Sequence, residues 1–129
     1  MENLLITAME RSPHVEFNFS TGVFTIVGES YPDDASKVFG PIFDALDSYL
    51  SEVRPLPIRF EIELVYFNSS SAKALMNMFK RLEAAAAKGQ KIDVYWRFAA
   101  EDETMREFGE DFSEDMSALS FHLVETDGE

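Results

Sequence analysis

Cysteine is absent from this 129-residue chain, and with it go disulfides, thiolate nucleophiles and cysteine-ligated zinc. Positive charge is scarce: 11 Lys and Arg stand against 24 Asp and Glu, a formal net charge of −13. A nucleic-acid backbone needs Lys and Arg to neutralise its phosphates, so the charge argues against that class of partner. It argues equally against docking on an anionic membrane surface. A solution partner with a basic or mixed face stays open. No apolar run approaches the ~20 residues of a membrane-spanning helix. The start, Met1-Glu2-Asn3-Leu4-Leu5-Ile6, carries an acid where a secretory signal has its basic region. A cytoplasmic protein is expected. The two histidines, His14 and His122, form no ligand spacing with each other and read as structural. Also missing are a Gly-x-Ser-x-Gly elbow, a phosphate-cradling glycine loop and any cluster of His with carboxylates. No cofactor and no metal site are expected.

What is present is core-forming. Hydrophobic residues make up 46% of the chain, with 12 Phe, so it packs as a globular protein. At this length one domain is expected, residues 1–129. Val15, Phe17 and Phe19 alternate with polar neighbours, Ser20-Thr21-Gly22 reads as a turn, and Val23 to Val27 form a second strand. Phe39, Ile42, Phe43, Leu46, Tyr49 and Leu50 mark a helix, with Pro41 either displacing its start to Gly40 or kinking it. Ile58, Phe60, Ile62 and Leu64 make a third strand, and Ile92, Val94, Trp96 and Phe98 a fourth. Between them Leu75, Met78, Phe79, Leu82 and Ala86 recur at helical spacing as far as Gly89. A third helix is expected over 102–115, and a short strand through Leu119, Phe121 and Leu123.

Strands three and four alternate cleanly, whereas the central strands of a doubly wound fold read as unbroken apolar runs. One face of the sheet should therefore carry charge and water. The expected fold is α/β: a mixed, open sheet of about five strands with helices mainly on one face.

The stretch Asn68-Ser69-Ser70-Ser71-Ala72-Lys73 lies where the third strand stops and the second helix starts. Free backbone N–H groups and the positive end of a helix dipole favour an anion there. Two readings are open: Ser caps for the helix, or a phosphoacceptor whose phosphoryl group is held by N–H donors and Lys73.

These residues resemble a family. The junction is similar to the phosphorylated turn of anti-sigma factor antagonists, the STAS-type switch domains. A closer resemblance is to the SiaC family of regulatory phosphoproteins. It is carried by Gly28-Glu29-Ser30-Tyr31-Pro32, by Leu-x-Tyr-x-Asn-Ser-Ser-Ser at 64–71, and by Tyr95-Trp96-Arg97. It covers most of the chain, from about Thr21 to Phe112.

The resemblance places the phosphoacceptor at Ser69, where the family often has Thr. It implies a STAS-like domain that a serine/threonine kinase phosphorylates and a PP2C-like phosphatase restores. The unphosphorylated form would then bind and activate a target such as a diguanylate cyclase, in cyclic-di-GMP signalling. Anti-sigma factor antagonists have Asp at the position of Asn68 and Gly at that of Ser71. An antagonist acting on an anti-sigma kinase is kept as the alternative. Asn68, Ser70, Ser71, Lys73 and Tyr31 are the candidate partner-binding or switch-supporting residues. Each has a plainer role: a turn residue at Asn68, a solvated lysine at Lys73, and for Tyr31 packing on the core edge, which is favoured.

Two rival classes stay in view. Ser70-Ser71-Ala72-Lys73 matches Ser-x-x-Lys, a nucleophile and base one helical turn apart, but its companion motifs are absent. A structural scaffold that is never modified is the other. The acids at 101–103 and at Glu107, Glu110, Asp111, Glu114 and Asp115 read as a solvated helix face. The charged surface favours a monomer in the free form.

Overall fold

Apolar side chains at every second position decide which side of the sheet stays dry. The computed structural model describes residues 2–126. Six strands form one sheet in the order β1 to β6: Leu4–Ile6, His14–Asn18, Val23–Ser30, Ile58–Phe67, Ile92–Ala99 and Ser120–Thr126. The helices are α1 (Ala35–Tyr49), α2 (Ser69–Ala87) and α3 (Glu103–Ser113). β1, β2 and β3 pair antiparallel, and β3 to β6 run parallel. Each of the three crossovers moves one strand further in the same direction. Right-handed connections then drop every helix on the same side of the sheet. Phe24, Ile26, Phe60, Ile62, Val94 and Trp96 are buried under them, together with Phe39, Ile42, Leu75, Phe79 and Phe112 of the helices.

The opposite face is open, as its alternation predicts. Arg59, Glu61, Asp93, Tyr95 and Arg97 lie there, partly exposed. They bond across strands: Glu61 holds both Arg59 and Arg97, the Arg59 guanidinium lies 4.2 Å over the Tyr95 ring, and Tyr95 stacks on His122 at 4.6 Å. His122 in turn bonds Asp93 at 2.9 Å, while His14 sits 3.4 Å from Glu16. Burial pushes the Glu61 carboxyl up, but its bonds to Arg97 and Arg59 outweigh that and hold it below its ordinary value.

Four expectations need correction. The sheet has six strands rather than about five, because Leu4-Leu5-Ile6, too short to show alternation, pairs with β2. Helix α1 does not start at Gly40; Asp34 caps it and it runs from Ala35 through Pro41 to Tyr49. Pro41 and Lys37 are both exposed, so the helix bond lost at Pro41 lies at the surface and costs less than a buried one. The last strand extends to Thr126, and α3 ends at Ser113. The hairpin forms, but β2 stops at Asn18 and the turn takes four residues, 19–22, instead of three. Only glycine fits at its end, where Gly22 has φ +77° and a Cβ would stand 2.4 Å from the Pro57 carbonyl.

Candidate phosphorylation site at the start of α2

The end of β4 is set by a bulge. Gly28 faces Leu64 and Glu29 faces Tyr66, so Val65 is the extra residue. Gly28 has φ +122°, a conformation that side chains rarely take. The bulge breaks the in-out alternation: Val65 and Tyr66 are 64% and 50% exposed, and Phe67 turns inward onto Phe108. Tyr31 is half-buried and meets the Tyr66 ring edge-on at 5.6 Å, so it packs at the margin of the junction. Its N–H donates to the Arg11 carbonyl, and Arg11 pairs with Asp33.

Asn68 caps α2, with extended backbone (φ −89°, ψ 176°). Its amide oxygen accepts the Ser71 N–H at 3.0 Å and the Ser70 hydroxyl at 3.2 Å. Its own N–H donates to the Ser30 carbonyl, and its side-chain amide reaches the Pro32 carbonyl at 3.5 Å. The capping anticipated for a serine therefore belongs to Asn68.

The three hydroxyls that follow have three fates. Ser69 is exposed on the first turn. Ser70 is exposed, and its hydroxyl donates to Asn68. Ser71 is fully buried, and its hydroxyl bonds that of Ser30 at 2.8 Å. A partner cannot touch Ser71 here, so of its two candidate roles only support of the junction fits. Lys73 is exposed and, among the described residues, forms no ion pair. The Ser-x-x-Lys reading finds no hydrogen bond between Ser70 and Lys73 to support it.

Electrostatics separate this helix start from the others. Asp34 caps α1 and Asp102 caps α3, which also has Glu103 in its first turn. Those carboxylates offset the positive ends of their helices. The cap of α2 is a neutral amide, and its first turn holds no acid. A 19-residue helix, pinned by fully buried Leu75, Met78, Phe79 and Leu82, thus begins with an uncompensated N-terminus at the exposed Ser69.

Ser30 and Val65 are the contributors that the sequence pattern did not single out. Ser30 lies within the stretch quoted for the family resemblance, but its bond to Ser71 spans 41 positions. Val65 was signalled by spacing: Leu64 and Phe67 point inward three residues apart, which a regular strand forbids.

The model of the SiaC family regulatory phosphoprotein matches residues 6–126. An uncharacterised protein of Pseudomonas aeruginosa (strain UCBPP-PA14) is 29% identical over 117 residues, 91% of this chain and 92% of that one. Apo-SiaC from Pseudomonas aeruginosa superposes with a TM-score of 0.87 at 27% identity, covering 96% of this chain and 99% of the other. A chain in the crystal structure of the diguanylate cyclase SiaD in complex with its activator SiaC, from the same organism, gives a TM-score of 0.89 at 28% identity, covering 95% and 99%.

Proposed function

Because the chain belongs to the SiaC family of regulatory phosphoproteins, we propose that Ser69 carries its regulatory phosphoryl group and that the protein switches partners without catalysing a reaction. A serine/threonine kinase writes the mark and a PP2C-like phosphatase removes it, in the cytoplasm. The unmodified form, a monomer when free, binds and activates a diguanylate cyclase. The relative that activates such a cyclase supports that choice of target.

The observation that carries the reading is the exposed Ser69 hydroxyl at the uncompensated start of α2. A phosphoryl group brings about −1.5 to −2 charge and three acceptor oxygens. Free N–H groups of the first turn stabilise it in place, and Lys73 one turn on adds a cation. A partner that covers Ser69 in its neutral form must then desolvate that charge. A penalty of about 3 kcal/mol lowers affinity by roughly a hundredfold, enough for exchange without refolding.

The test is phosphosite mapping on protein from its native cells. Cleavage after Arg59 and Lys73 releases all three serines on one peptide, 60–73. The expected mark is on Ser69, is removed by a metal-dependent phosphatase, and disappears in Ser69→Ala. A peptide unmodified across growth conditions, or marked on Ser70 alone, overturns the assignment.

A further inference from the structure

β4 and β5 pair from Ile58 and Ile92 as far as Ile62 and Trp96. Both strands run on, β4 to Phe67 and β5 to Ala99. Through those extra residues β4 stays on β3 by way of the bulge, and β5 stays on β6 as far as Thr126. The sheet therefore parts between β4 and β5 at the carboxyl ends of its strands. A cleft of about 250 Å³ occupies the split, lined by Glu63, Leu64, Val65, Arg97, Phe98 and Asp102 among others.

Beyond Ile62 the main chain of β4 has no registered partner on β5, and an edge without a partner takes an incoming extended chain. Crevices beyond the carboxyl ends of parallel strands are also where open α/β sheets receive ligands. The side chains set the charge of what fits. Arg97 is engaged by Glu61 at 2.8 Å, whereas Glu63 forms no ion pair among the described residues. Asp102 adds a second carboxylate, and the exposed Val65 supplies an apolar lip.

We propose that this cleft receives an extended, basic segment of a partner protein. Its main chain bonds along the free edge of β4, and a lysine or arginine side chain lies against Glu63 and Asp102. The proposal goes beyond the switch and holds whichever hydroxyl carries the phosphoryl group.

The experiment titrates the ¹⁵N-labelled full chain with a capped peptide of alternating lysine and valine. A lysine–glycine peptide of equal charge and a glutamate–valine peptide are the controls. The expected result is saturable shifts at Leu64, Val65 and the 97–99 amides with lysine–valine alone, weakened at least tenfold by Glu63→Lys and less by Glu63→Gln. Three outcomes overturn it: no binding, equal binding by either control, or shifts spread over the acidic face of α3 that ignore both variants.

Discussion

At the start of α2 the amide oxygen of Asn68 accepts the N–H of Ser71 at 3.0 Å; at the start of α3 a carboxylate oxygen of Asp102 accepts the N–H of Met105 at 3.1 Å. Both helices follow a parallel strand and open at the same edge of the sheet. Their tips nonetheless differ in charge. Asp102 and Glu103 put carboxylates on α3, and Glu103 is itself held by Arg106. Asn68 performs the same capping for α2 with no charge. Capping geometry and helix-end electrostatics are therefore separable: an amide in place of a carboxylate keeps the bond and leaves the positive end free for another anion.

The largest expected effect tests what that freedom is for. Phosphorylated protein should bind its activated target about a hundredfold more weakly than Ser69→Ala protein, a difference of about 3 kcal/mol. Calorimetric titration of both forms against the purified target checks it. Equal affinities would mean that the open tip of α2 controls nothing.

Beneath the tips the two helices are anchored differently. The third residue of α3 is Met105, buried as an apolar group; that of α2 is Ser71, buried as a hydroxyl on Ser30. Ser71→Ala leaves the Ser30 hydroxyl without its partner and should cost about 1–3 kcal/mol in urea unfolding. Replacing both serines by Ala should recover most of that loss, because the stranded group is gone. If the double variant is as unstable as the sum of the singles, the pair is no coupled anchor.

This contrast shows what can be read from residue order and what cannot. β2 to β5 were legible because each buries one face, so period two is written into Val15-x-Phe17 and Ile92-x-Val94-x-Trp96. Ser71 falls on the buried stripe of α2, four positions before Leu75, although the apolar spacing read from the sequence begins at Leu75 and leaves Ser71 a candidate for partner binding or support of the switch. Ser30 was not legible, since nothing local reports a contact 41 residues away. β1 escaped because three residues carry no period and pairing alone makes it a strand. The α1 start was hidden by Pro41, whose cost depends on exposure rather than on identity. The strand-to-helix junction was legible in the change of period, the choice of Ser69 within it came from the family resemblance, and the neutral cap behind it emerges only when all three helix starts are compared.

Exchanging the cap charges sharpens the comparison further. Asn68→Asp keeps an acceptor for the Ser71 N–H and should leave stability within about 0.5 kcal/mol. It sets a carboxylate beside the phosphoryl group and should disfavour the dianion by about 1 kcal/mol, comparable to a helix-end charge effect. The second phosphoryl pKa, read by ³¹P NMR, should therefore rise in Asn68→Asp and stay put in Asp102→Asn. A rise in Asn68→Asp matched by an equal fall in Asp102→Asn would assign the effect to net charge rather than to the tip of α2.

The smallest effect is a titration that one cap has and the other lacks. The Ser36 hydroxyl, aided by the Ser36 N–H, holds the Asp34 carboxyl at the start of α1 below its ordinary value of 3.8. A depressed folded-state pKa stabilises the helix start above the unfolded value, and that contribution fades as pH falls through the folded one. Asn68 has no proton to gain, so its cap on α2 is indifferent to acid. Below pH 3.8 the Ser36 amide should shift and exchange faster, while the Ser71 amide stays flat until the whole fold gives way. Two-dimensional NMR across an acid series separates them, because local loss of one cap precedes global unfolding only where the cap itself titrates. If both amides move together, acid is acting on the shared core, and the charge on the cap is not what distinguishes the helix starts.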